Sequence, residues 1–168
     1  MSHVATILKA RSEMMNVKIS LARPTDALAI AEMSRRFIEA GLPWSWTEPR
    51  VARCVRHADC AVLLARDGRR LAGFAIMEFL EEHAHLSLLA VHPGYRLRGV
   101  GTALVQWLEA SARAAGIFSI RLELRAENQG ALSFYQRLGY QDAGRHAAYY
   151  NGVEDARRMT RNLSVVQA

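Results

Sequence analysis

The chain has 168 residues, enough for one domain with a sizeable core. Its 51% apolar and 23% charged residues make an ordinary globular balance, and no apolar run is long enough to cross a bilayer as a helix. The formal charge of +6 favours an acidic partner such as nucleic acid, anionic lipid or a small polyphosphate. The arginines are scattered, however, and no Lys/Arg block forms a nucleic-acid arm.

Residues 1–16 read as an N-terminal extension and residues 17–168 as the domain. The extension has a short apolar centre, Val4 to Leu8, before Lys9 and Arg11, too short for a signal-peptide core. Val17 to Ala22 alternates as a strand. Thr25 is placed to cap a helix that Gly41 ends, and Thr47-Glu48-Pro49 opens another. Cys54 and Cys60 lack a C-x-x-C spacing, which gives neither a zinc site nor a disulfide framework. They are expected to be reduced, buried and structural, as in a cytoplasmic protein. Cys60–Arg66 and Leu71–Phe79 form a hairpin around Asp67-Gly68. A strand from His85 to Val91 leads through a glycine-rich turn to a helix from Thr102 to Ala115. Phe118 to Arg125 is an alternating strand, and Asn128 caps a last helix that Gly139 stops. Tyr140–Arg145 and Ala156–Asn162 are final strands joined across Asn151-Gly152. This order predicts an α/β (α+β) single domain, with a central mixed sheet flanked by about four helices.

The glycine-rich turn carries the chemistry. Gly99 and Gly101 allow close backbone approach, the first amides of the next helix lack intrahelical partners, and Arg96 and Arg98 add positive charge. Such a turn is either an anion site or a tight strand-to-helix connection with solvated arginines. A Walker A loop needs G-K-[ST], which is absent; a dinucleotide fingerprint needs a third glycine where Leu104 stands, although Glu123 follows at its acidic position.

Arg96 to Gly101 also fits R/Q-x-x-G-x-G/A, the pyrophosphate loop of the GNAT superfamily of N-acetyltransferases. "AVHPGYRLRGVGTAL" resembles that family's loop region, and "LELRAENQGALSFYQRLGY" resembles its next segment. With "YYNGVEDARRM", these are most similar to the RimI-like branch, which acetylates protein N-termini. The resemblance implies the GNAT fold, a mostly antiparallel sheet, with acetyl-CoA as donor and a primary amine as acceptor. It implies neither metal, nucleic acid nor membrane partner, and a monomer or homodimer. "GLPWSWTEPR" and the histidine-bearing "EEHAHLSL" depart from the branch where the family holds its acceptor.

The family's donor contacts fall here on the strand residues Leu89, Ala90 and Val91 and on the loop from Arg96, Leu97, Arg98, Gly99, Val100 and Gly101 to Thr102. Asn128, Ala131 and Tyr135 add contacts from the next helix. Asn128 also reads as a plain N-cap. The same likeness makes Tyr135 the partner of the leaving thiolate and Glu123 the base. Local readings stand beside these: Tyr135 as a core tyrosine next to Phe134, and Glu123 as a surface carboxylate paired with Arg121 or Arg125. His83, His85 and His92 cluster near the donor strand as possible proton shuttles, without the ligand set a metal needs. Trp44, Trp46, Tyr149 and Tyr150 either line an acceptor pocket or pack. A small-amine acetyltransferase and a non-catalytic CoA-binding module stay open as alternatives.

Overall fold

The computed structural model describes residues 16–164, so residues 1–15 of the expected extension lie outside the described residues. The chain runs β1 (Val17–Leu21), α1 (Ala27–Phe37), α2 (Glu48–Arg56), β2 (Cys60–Asp67), β3 (Arg70–Phe79) and β4 (Ala84–Val91). It continues as α3 (Val100–Ala114), β5 (Ser119–Arg125), α4 (Gln129–Arg137), β6 (Gln141–Tyr150) and β7 (Glu154–Asn162). One sheet orders the strands β1-β2-β3-β4-β5-β7-β6, and only β4 and β5 run parallel. The expected mixed, mostly antiparallel sheet with four helices is therefore observed.

Local details differ from expectation at the ends of elements. Thr25 caps nothing; it sits in a 3-10 turn, Pro24–Asp26, and Asp26 instead accepts the Arg23 amide at 2.7 Å. Thr47 precedes α2 without a side-chain cap bond. Helix α3 begins at Val100 rather than Thr102, because Gly99 at φ +82° supplies the left-handed turn just before it. Strand β6 reaches Tyr150, past the expected Arg145, but its pairing with β7 breaks at two irregularities. Periodicity fades across those irregularities, which is why alternation alone ended the strand early.

The sheet buries both faces, each with its own core. Ile30 and Ala31 of α1 and Val51 of α2 pack on Val62, Leu64, Phe74, Ile76, Leu88 and Ala90. Leu104, Val105 and Leu108 of α3 pack with Tyr135 of α4 on the other face, over Leu63, Met77, Leu86 and β5 residues Ile120 and Leu122. The first core draws its strand residues from β2, β3 and β4, so the same face of β5 lies beyond the cover of α1 and α2. That face carries Glu123.

Two features of β4 position the site. Ile76 pairs with Leu88 but Met77 pairs with Leu86, leaving Ser87 as an extra residue in a bulge. The bulge switches the buried set: Ala84 and Leu86 face α3, whereas Leu88 and Ala90 face α1 and α2. In addition, β4 pairs with β5 only at Ala84–Ile120 and His85–Arg121. Beyond that point the strands part, and among the described residues the β5-side edge of β4 from Leu86 to Val91 has no strand partner.

Gly73 sets how closely β3 approaches this strand. A Cβ there would stand 2.7 Å from the Ala90 carbonyl oxygen, a backbone atom that cannot rotate away. Gly73→Ala is expected to cost about 1–3 kcal/mol, the usual penalty for overpacking. Chemical denaturation checks this, and an unmoved midpoint would mean that β4 relaxes freely.

Candidate active site

The glycine-rich turn is built from local geometry. Pro93–Tyr95 forms a 3-10 turn, Leu97 sits at φ +62° and Gly99 at φ +82°, and the chain then enters α3. Among the described residues the amides of Leu97, Arg98 and Gly99 make no backbone hydrogen bond, and those opening α3 have no intrahelical acceptor. A row of free amides at a helix start, with Arg96 and Arg98 adjacent, suits a pyrophosphate. Leu97 is fully exposed, so its side chain leaves the turn open. Gly101 has a different reason to be glycine than ligand approach. A Cβ there would meet Phe134 Cζ at 3.2 Å, so it lets α3 and α4 pack closely. Val100 is buried and offers only its amide.

Where β4 and β5 part, a cleft of about 960 Å³ opens. Its walls include Leu89, Asn128, Ala131 and Tyr135 on the donor side and Glu123 and Tyr150 opposite the α1–α2 loop. The free β4 edge can pair with an extended donor arm as an added strand would. Asn128 accepts the Ala131 amide at 3.1 Å, so it is an N-cap of α4 and also a cleft residue. The two readings of Asn128 are compatible.

Glu123 alternates away from buried Ile120, Leu122 and Leu124, as expected, but it does not pair with Arg121 or Arg125. Its Oε2 lies 2.5 Å from His85 Nε2, and its Oε1 lies 3.9 Å from Arg158 Nε. The hydrogen bond to His85 holds the Glu123 carboxyl below the usual carboxylate range, against the opposing effect of burial. The same bond holds the His85 imidazole above its ordinary value. Behind this pair, His85 Nδ1 lies 3.1 Å from Ser87 Oγ, and Ser87 donates to Glu78 at 2.7 Å.

Tyr135 is nearly buried, with its ring edge-on to Phe134 at 5.0 Å and to Tyr140 at 5.4 Å. It is thus a core tyrosine and a cleft residue at once. Burial pushes its phenol well above the ordinary value, so the hydroxyl keeps its proton.

The loop departures hold the far wall. Glu39 is buried, and its carboxylate accepts from Ser34, Ser45 and the Trp46 amide, which fixes the loop after α1. Trp46 lies under Arg50 at 3.7 Å and lines the cleft, whereas Trp44 packs, donating to the Ala31 carbonyl at 3.2 Å. Tyr149 and Tyr150 both line the cleft. Arg125 reaches from β5 to the Ala40 carbonyl at 2.6 Å, tying this loop to the sheet. Neither Glu39 nor Arg125 was marked as functional by sequence reasoning, because their partners are distant or lie in an irregular loop.

Other expected groups stay outside the reaction space. His92 accepts the Gly94 amide and stacks edge-on to Phe37 at 5.7 Å, a structural role. Burial pushes both thiols up, Cys60 to about 12, so both are neutral at physiological pH. Cys54 is buried; Cys60 is only partly so, because it opens β2.

Free amides at a helix start beside arginines, next to an open strand edge along a cleft, suit a ligand with phosphates and an extended arm, and a model of the acetyltransferase (GNAT) family matches residues 28–140. The chain belongs to that family and is an acetyl-CoA-dependent N-acetyltransferase. Among its relatives is the [ribosomal protein bS18]-alanine N-acetyltransferase of Escherichia coli. The two are 34% identical over 150 residues, covering 88% of this chain and 98% of that one. The crystal structure of the ribosomal-protein-S18-alanine N-acetyltransferase from Escherichia coli matches with a TM-score of 0.76 at 29% identity. That match covers 90% of this chain and 96% of the other. Ard1 from Thermoplasma volcanium shares the fold, with a TM-score of 0.77 at 22% identity over 90% of this chain and 99% of its own.

Proposed function

We propose that this enzyme acetylates the α-amine of a protein N-terminus, with Glu123 taking the amine's proton and Tyr135 facing the leaving thiolate. The observation that carries this reading is that both side chains line the cleft where the β4 edge is free. Acetyl-CoA brings the thioester carbonyl. Leu89, Ala90 and Val91 would pair with its arm, the Leu97 to Thr102 amides with Arg96 and Arg98 would hold its pyrophosphate, and Asn128 and Ala131 would flank it. A β4 amide in the same stretch is placed to donate to the developing oxyanion.

A protonated amine is no nucleophile, so the acceptor must lose a proton before attack. A carboxylate that is ionised at neutral pH, as Glu123 is, can take it. The cleft also draws a cation. Glu39, Glu78, Glu123, Glu127 and Glu154 line it, against Arg50 and Arg125, although the whole chain is basic. An N-terminal ammonium is steered toward such a site. The Escherichia coli relative, named for an alanine of a ribosomal protein, supports a protein acceptor.

The test is an acceptor screen that follows release of the free CoA thiol. Peptides beginning with Ala, Ser or Met are expected to turn over faster than small amines and amino acids. Preference for a small amine would move the acceptor to the metabolite class. A lack of transfer to every amine would favour a CoA-binding module.

A further inference from the structure

The free β4 edge and the glycine-rich turn suit the donor, which leaves the opposite side of the cleft to the acceptor amine. That side is made of two segments far apart in the chain. One is the α1–α2 loop, with Glu39, Ala40 and Trp46; the other is the β6–β7 hairpin, with Tyr149, Tyr150 and Glu154. Each segment is held from within. The Glu39 carboxylate accepts from Ser34, Ser45 and Trp46, and the Val153 amide closes the hairpin turn on the Tyr150 carbonyl at 3.0 Å.

Arg125 ends β5 and reaches both segments. Its Nη2 donates to the Ala40 carbonyl at 2.6 Å, across 85 positions of sequence. On the other side its Nε stands 3.6 Å from the Glu154 carboxylate. That Nε is buried and has no hydrogen-bond acceptor among the described residues, so attraction to the carboxylate is what offsets its burial.

We infer that Arg125 is a positioning residue that straps the α1–α2 loop to the β6–β7 hairpin and so sets the opening through which the acceptor enters. The inference rests on this side of the cleft taking the acceptor. A guanidinium can serve both walls because its donors point in fixed, different directions from one plane. A lysine ammonium at the same place is a single point of attachment and holds one wall at a time. The contribution is to geometry rather than to stability. The Arg125 and Glu154 side chains are 27% and 42% exposed, and ion pairs that open to water add little to folding free energy.

The sign of the effect separates a strap from a simple charge. The acceptor arrives as an ammonium, and Arg125 is a cation in a cleft rich in carboxylates. If its charge were all that mattered, removing it would ease entry and lower the acceptor KM. Loss of a strap does the opposite. Two loosened walls must be ordered again at each binding event, and the acceptor KM rises.

The experiment compares Arg125→Ala and Arg125→Lys with native enzyme, using the acceptor that native enzyme prefers in the screen. Acetyl-CoA affinity and the unfolding midpoint serve as checks on folding. Arg125→Ala is expected to raise the acceptor KM by about tenfold, with kcat within about threefold of native and acetyl-CoA affinity unchanged. Arg125→Lys keeps the charge but not the fork, and should raise the acceptor KM as well. Amide hydrogen exchange should quicken in both variants across the α1–α2 loop and the β6–β7 hairpin, and stay native in β4 and α3. An acceptor KM for Arg125→Ala that falls, or stays within about twofold of native, overturns the strap. So does a lysine variant of native KM, unchanged exchange in both walls, or loss of acetyl-CoA affinity in both variants. If native enzyme prefers a small amine to every peptide, the protein N-terminus fails as acceptor and the strap is judged on that amine. If native enzyme acetylates no amine, both fall together.

Discussion

Replacing Glu123 with Gln is expected to lower kcat by about 10²–10⁴-fold, the range for losing a positioned acid–base group. The change swaps one oxygen for a nitrogen and keeps the side chain's length. Glutamine can still meet His85 and lie beside Arg158, so the cleft should keep its shape. What is lost is the ability to take a proton. The sign of the pH effect follows from the depressed carboxyl. Glu123 is ionised above a value lower than the ordinary 4.5, so its function persists through neutral pH and disappears only as pH falls through that lower value. Between those limits the variant should stay slow at every pH, and no rise toward alkaline pH should recover it. Steady-state rates across the pH range, with acetyl-CoA affinity measured alongside, check this. Full activity would place the base elsewhere.

Tyr135→Phe is expected to lower kcat by about 10²-fold and to leave acetyl-CoA affinity nearly unchanged. The ring contacts with Phe134 and Tyr140 survive, because they are edge-on aromatic contacts that need no hydroxyl. Only the hydroxyl is removed, and with it the proposed hydrogen bond to the leaving sulfur. Magnitudes also decide what kind of donor Tyr135 is. A thiol has a pKa of about 8.5, and burial lifts the phenol above even its ordinary value of about 10. Handing over the proton completely is therefore uphill. In the proposed role the phenol would stabilise the thiolate mainly by a hydrogen bond, with the sulfur taking its proton later from solvent. Turnover at saturating acceptor, together with a direct measurement of acetyl-CoA binding, checks both halves. Equal turnover would leave Tyr135 with its packing role alone.

The acceptor screen and the Gly73 substitution probe separate layers of the molecule. Gly73 tests the approach of β3 to β4, and the screen tests the acidic cleft. The base and acid tests are interpretable because each keeps the packing that the other needs.

Much of the glycine-rich turn and the Asn128 cap was legible from sequence because both are local. The turn residues Arg96 to Gly101, the left-handed Gly99 and the Asn128 cap each depend on neighbours a few positions away. Alternation along Ser119–Arg125 likewise put Glu123 on the polar side of its strand before any partner was known. Gly101 was legible as a glycine but not for its reason, since Phe134 lies in another helix. Thr25 was misjudged because it lies inside a 3-10 turn, Pro24–Asp26, whose Asp26 closes back on the Arg23 amide.

The sequence by itself determined the class of the domain, the glycine-rich turn and the identity of the residues that can handle protons. Only the tertiary structure decided which of them meet. Glu123 meets His85 because β4 and β5 run parallel and pair only at Ala84 and His85 before parting. Ser87 joins them because a single bulge offsets β4 against β3. Register and parting of strands arise from packing across the whole sheet, between residues far apart in the chain, and such long-range pairing leaves no local pattern to read.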